Sequence, residues 1–281
     1  MRLFSVLIVL LLCVSCVTTQ PPKSYYGNSK SYYGGNSNNY VTSNYKPYNP
    51  EKEDIQIFEK INNSDNSDNV SNVKFKVIPS PVNNLLTCNK IKSNYRIMLD
   101  PGHGGKDPGG HGNGIIEKDL VLTVSMKLKT LLESNGFRVY MTRSTDVFPT
   151  LSQRVEMARQ VKASLMLSIH ANTIPNKPHI RGTLTIYPKS STSSRNTWLS
   201  KVLAESVEEQ FKVNKVFASR GILRDYRGLY ILRHANVPTA LTEIGFMTNK
   251  EDATLLKQAD HQTRIVNTLY NGIVTYLNKL N

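Results

Sequence analysis

Four side chains in this 281-residue sequence are of types that hold a divalent metal or move a proton, and each stands at the edge of an apolar run: His103, Glu117, His170 and Glu243. Two histidines and one carboxylate are a recurrent protein ligand set for catalytic zinc, with the remaining position left to water or substrate. A metal so held lowers the pKa of its water and polarises a carbonyl under attack. A second carboxylate is then needed to take the water's proton and pass it to the leaving group. Taken singly, each residue has a plainer explanation. A histidine at a strand end is more often structural, and a glutamate at a helix start is ordinarily explained by the helix dipole.

His103 and Glu243 are 140 positions apart, so the fold must bring them together. From Tyr95 onward, short apolar runs alternate with longer periodic stretches, which argues for β and α elements in turn and a largely parallel sheet. Strands are expected over residues 96–100, 138–142, 164–169, 182–187 and 238–244. Leu120, Val124, Leu128, Leu131 and Leu132 recur at spacings of three and four, marking a helix that Gly136 terminates. Further helices are expected over 151–161, capped by Thr150 or Ser152, over 195–211, and around Asp252 and Ile265. The resulting class is α/β, three-layer, with a largely parallel twisted sheet flanked by helices on both faces, and it occupies residues 91–281. In such sheets ligands bind beyond the carboxyl ends of the strands. His103, His170 and Glu243 therefore converge, with Glu117 within loop reach of His103. Asp100 is expected either to orient a histidine or to hold the turn. The glycine-rich stretch DPGHGGKDPGG lacks the GK[ST] ending of a phosphate-binding P-loop.

The rest of the chain speaks of location. Arg2 followed by the apolar run 3–14 fits a secretory signal over residues 1–16, too short for the roughly 20 residues a membrane span needs. Val14-Ser15-Cys16 resembles the site where a lipoprotein precursor is cleaved and its cysteine acylated, although Cys13 stands where leucine is usual. Residues 17–90 are a low-complexity tether containing KSYYGNS and KSYYGGNS, with a root-mean-square span of about 50 Å. Cys88 is then left without an intrachain partner. The net charge of +14 is concentrated in the folded part, since residues 1–90 hold 9 of the 35 Lys and Arg and 6 of the 21 Asp and Glu. A basic exported domain suits an anionic envelope polymer or lipid surface; nucleic acid is the runner-up partner, disfavoured by export, and solubility alone is the plainer reading of the charge.

Four motifs in order, LDPGHGGKDPGG, IIEKDLVL, LSIHAN and VPTALTEIGFMTN, resemble those of the zinc-dependent N-acetylmuramoyl-L-alanine amidases found among cell-division and spore amidases, over about residues 95–279. The resemblance implies one catalytic Zn2+ on His103, Glu117 and His170, with Glu243 as the catalytic glutamate. It implies hydrolysis of the amide between N-acetylmuramic acid and the first L-alanine of the peptidoglycan stem, in wall remodelling or daughter-cell separation. Asn172 is expected to help orient substrate. His111, His179, His234 and His261 match no ligand and are assigned to surface or packing. The implied setting is a monomer in the periplasm, anchored to a membrane, the outer one, through lipidated Cys16. Division amidases of this family carry an insertion whose helix lies over the zinc. Here only residues 173–181 separate the HAN motif from the next strand, so an open site needing no activator is expected. The competing reading is a non-catalytic peptidoglycan-binding lipoprotein on the same fold, which would not require Glu243. A zinc peptidase is disfavoured by the absence of an HExxH helix.

Overall fold

The computed structural model describes residues 85–280. The expected signal segment with Cys16, and the expected tether up to residue 84, lie outside them. Eight strands and six helices follow in the order β1 (Arg96–Pro101), β2 (His111–Gly112), β3 (Ile115–Ile116), α1 (Glu117–Ser134), β4 (Arg138–Met141), α2 (Leu151–Gln160), β5 (Leu165–Asn172), β6 (Thr183–Pro188), α3 (Ser194–Asn214), β7 (Ser219–Asp225), α4 (Tyr230–His234), β8 (Thr239–Phe246), α5 (Lys250–Leu256) and α6 (Ala259–Lys279). Six strands form one sheet in the order β4-β1-β5-β8-β6-β7, and β2 and β3 make a small hairpin. Pairing is parallel except at β6–β8, where Leu184 stands opposite Glu243. The largely parallel three-layer sheet expected from the pattern is what the chain forms.

Alternation along the strands sorts side chains between two layers. Ile97 and Leu99 of β1, Leu165, Leu167, Ile169 and Ala171 of β5, and Ala240 and Ile244 of β8 point into one apolar cluster. That cluster is closed by Leu120, Val124 and Leu128 of α1, Leu203 and Val207 of α3, and Ile265, Leu269 and Ile273 of α6. The intervening residues Asp100, Ser168, His170 and Glu243 face the other way, towards α2 and α4. There Leu184, Ile186, Leu232 and Leu241 form a smaller core.

Helix ends follow local chemistry. Gly136 adopts φ 87° just beyond α1, which lets its N–H reach Glu133 O and that of Phe137 reach Leu132 O. At α2 the cap is Thr150, in a reciprocal capping box with Gln153. Ahead of β1, residues 85–89 already lie against α6: Leu86 N donates to Asn271 Oδ1 and Asn89 N to Asn278 Oδ1. Cys88 is free and buried between them. Among the described residues no helix is long and apolar enough to cross a membrane.

Besides the short β2–β3 hairpin, β7 and α4 were not expected from the pattern. β7 has only Ile222 and Leu223 as an apolar run, because it is one of the sheet's two edge strands, with Arg220 and Arg224 exposed. α4 has five residues and follows a turn that Asp225 organises by accepting from Arg227 N and Leu229 N.

Candidate metal centre

The loop leaving β1 carries His103 in the left-handed backbone region, at φ 59°, which is uncommon for a side chain with a Cβ. Two buried arginines hold it there. Arg154 of α2 donates to Asp100 Oδ1 at 2.8 Å, Pro101 O at 2.7 Å and His103 O at 2.6 Å. Arg143 donates to Pro101 O, Gly102 O and Lys118 O, tying the loop to the first turn of α1. Gly102 has to be glycine, since a Cβ there would stand 2.3–2.6 Å from the His170 ring.

Asp100 touches neither histidine. Its carboxylate accepts from Thr142, Ser168 and Arg154, so of its two expected roles it fills the second, holding the turn. Burial opposes its charge, but Arg154 and the hydroxyls outweigh burial and hold its pKa below the ordinary value. The carboxylate that does orient a histidine is Asp107, four residues after His103. Its Oδ2 lies 2.9 Å from His103 Nδ1, while Oδ1 accepts from Gly109 N.

Glu117 opens α1 and is fully buried between the two imidazoles. Its Oε1 lies 2.8 Å from His170 Nδ1 and accepts from Ala171 N, and its Oε2 lies 3.1 Å from His103 Nε2 and accepts from Gly110 N. The rings stand edge to face at 4.9 Å. Candidate ligand atoms of His103, Glu117 and His170 all fall within 4.8 Å of one another. Burial works against charge on both Glu117 and His103. Against it, the carboxylates of Asp107 and Glu117 push His103 up to about 10, and the imidazoles of His103 and His170 hold Glu117 far below the ordinary carboxylate range.

The donor set fits a divalent cation. A fully buried ionised Glu117, with Asp107 close by, requires positive charge in the same pocket, which a protonated His103 supplies and a divalent cation would supply in its place. His103 Nε2, although near Glu117, makes no hydrogen bond of acceptable geometry, which leaves it the nitrogen that would exchange its proton for a metal. Two imidazoles and a carboxylate are the protein ligand set of a catalytic zinc site, whose fourth position is left to water or substrate.

Glu243 is buried on β8, in register with His170 on the neighbouring strand, and alternation sets both side chains on the same face. Asn172 ends β5 fully buried, and its carbonyl accepts from Met247 N, so it joins β5 to the end of β8. His111, His179 and His234 are exposed, and buried His261 packs edge to face on Phe217, so none enters the centre. Sequence reasoning missed Asp107, Arg143 and Arg154. The connection from β5 to β6 holds turns and no helix.

Residues 97–275 match the protein family described as N-acetylmuramoyl-L-alanine amidase. The chain is 32% identical over 200 residues to the N-acetylmuramoyl-L-alanine amidase LytC of Bacillus subtilis (strain 168), a match covering 70% of this chain and 39% of that protein. It is 31% identical over 194 residues to the germination-specific N-acetylmuramoyl-L-alanine amidase of the same organism, covering 64% of this chain and 78% of the relative. The solved structure of the N-acetylmuramoyl-L-alanine amidase from Clostridium difficile 630 superposes with a TM-score of 0.61 at 28% identity, over 66% of this chain and 98% of the other. Because the family match runs through every element that carries a residue of the centre, from β1 into α6, this chain belongs to the N-acetylmuramoyl-L-alanine amidase family.

Proposed function

We propose that this protein hydrolyses the amide between the lactyl group of N-acetylmuramic acid and L-alanine in peptidoglycan, using zinc held by His103, Glu117 and His170. The observation that carries this reading is the buried three-ligand cluster with Glu243 in register beside it. When bound, zinc supplies polarisation of the amide carbonyl and an acidified water. Glu243 takes the proton of the attacking water. The carbon–nitrogen bond then breaks, and Glu243 returns the proton to the departing α-amine of L-alanine, leaving the lactyl group as a carboxylate. Asp107 keeps His103 in place, and the two arginines keep the loop in the shape that presents it. A protein that only bound wall polymer would have no use for a buried carboxylate at that position.

The same proposal places the mature chain outside the cytoplasm, in a periplasm, tethered to a membrane through acylated Cys16 and acting as a monomer. With turns alone between β5 and β6, the site needs no activator to uncover it. Metal analysis of the purified full chain tests the zinc assignment. One zinc per chain is expected, with wall-cleaving activity lost on chelation and restored by one equivalent of zinc. Full activity in metal-depleted protein would overturn it.

A further inference from the structure

The motif RGILRDYRGLYILR, over residues 220–233, builds a surface that the metal centre does not use. Leu229 and Leu232 pack beneath it against Leu184, Ile186 and Leu241, which seats residues 229–232 on the sheet face that also carries His170 and Glu243. On the outer side Arg227, Tyr230 and Arg233 are exposed. Where β6 and β7 end, Lys189 and Tyr226 join them, with the ammonium 5.9 Å from the ring centroid and Tyr226 61% exposed. Arg224 closes the rim by donating to Lys189 O at 3.2 Å. The carboxylate in their midst, Asp225, is buried and occupied by the turn, accepting from Arg227 N at 3.0 Å and Leu229 N at 2.7 Å. Four exposed cations and two tyrosine rings thus surround one buried carboxylate, with Arg227 Nε 3.8 Å from Asp225 Oδ1 and one side of the Tyr230 ring stacked on His234 at 4.3 Å.

Register gives the distance from the chemistry. Leu184 is opposite Glu243, and Pro188 is paired with Asp225. At about 3.3 Å per residue along β6, the patch begins about 15 Å from Glu243. That is the length of four or five extended peptide units.

We propose that this basic, tyrosine-bearing surface is a second contact for the polymer being cut. It would receive uncleaved neighbouring stem peptides through their carboxylates and sugar rings through Tyr226 and Tyr230. The inference rests on the amidase reading and adds to it a preference for polymeric over short substrate. Arginines pair with carboxylates in two-pronged fashion, and tyrosine offers a flat amphipathic face that a sugar can cover. Peptidoglycan is favoured over an anionic membrane because the patch's large exposed side chains are tyrosines, not the Leu, Phe and Trp that insert into lipid. Because β6 runs antiparallel to β8, the patch lies level with the start of β8, at the other end of the sheet from the His103 loop, so the polymer it holds is wall adjoining the bound stem.

The test compares the full chain with R227S/R233S and with Y230S, chosen because only exposed side chains change and the leucines beneath stay. Each protein is assayed on insoluble sacculi and on a short soluble muropeptide, with co-sedimentation onto sacculi and onto phosphatidylglycerol vesicles. The ratio of the sacculus rate to the muropeptide rate is expected to fall about tenfold in R227S/R233S, with a matching loss of sacculus binding that added salt reproduces in the parent chain. Y230S should lose several-fold without that salt dependence. An unchanged ratio and unchanged sacculus binding would overturn the proposal, and loss of vesicle binding alone would assign the patch to lipid instead. If the parent chain cleaves neither substrate, the amidase reading has failed and the patch proposal goes with it. Cleavage of both at an unchanged ratio removes the patch proposal alone.

Discussion

At the scale of single residues, the second nitrogen of His103 is where the chemistry of the centre is set. An ionised carboxylate can only accept, so Asp107 obliges Nδ1 to donate, and when His103 gives up a proton to a metal it is Nε2, the nitrogen nearest Glu117, that supplies the lone pair. In Asp107→Asn the amide can keep its acceptor on Gly109 N only by turning its NH2 towards His103, which drives the ring proton onto Nε2. Zinc affinity, read by competition with a chromophoric chelator, is expected to fall about 10–100-fold. Unchanged affinity would mean that Asp107 serves the turn alone. His103, Glu117, His170 and Glu243 were legible in the sequence because each punctuates an apolar run. Asp107 was equally visible, four residues from a proposed ligand, and would have been found by asking what holds that histidine's other nitrogen. Arg143 and Arg154 were not legible. Arginine is ordinarily a surface residue, and nothing near either one in sequence reveals that the loop from Pro101 to His103 will close over it.

Between helices, α6 comes close to α3 at Gly272, where an added Cβ would stand 2.8 Å from Val207 Cα. Helix propensity alone would favour alanine there by about 1 kcal/mol. The clash is with backbone that cannot turn aside, so Gly272→Ala is expected to destabilise by about 1–3 kcal/mol. A urea midpoint equal to or above the parent's would contradict this. His261, also on α6, links the element to pH. Burial first, then Arg264, lowers its pKa from 6.5 to about 4. Below pH 6.5 the unfolded chain takes up a proton that the folded one refuses, so stability is full above that pH and falls as pH drops towards 4. The loss is at most about 3 kcal/mol. Urea midpoints at pH 7.5 and 5.0 should differ by less in His261→Gln than in the parent chain. Helices such as α1 were legible because periodicity and a terminating glycine coincide. β7 was not, since an edge strand shows solvent its polar half, and neither was α4, which is too short to express a period.

For the molecule as a whole, the three-layer sheet was readable from the alternation of short and long apolar patterns, and it carries the central claim by setting His170 and Glu243 on adjacent strands. The antiparallel joint at β6–β8 was not readable, because an apolar run records burial and not direction. The charge was readable as a total, while its concentration around residues 224–233 needed the fold. The most direct test of the account is digestion of purified sacculi by the zinc-loaded chain and by Glu243→Gln, with released products identified by mass spectrometry and zinc content measured in both. The account predicts stem peptides beginning with free L-alanine from the parent chain, and a loss of about 10²–10⁴-fold in their release by Glu243→Gln with one zinc per chain retained. Sugar-bearing or internally cut peptide products, or undiminished release by Glu243→Gln, would contradict it.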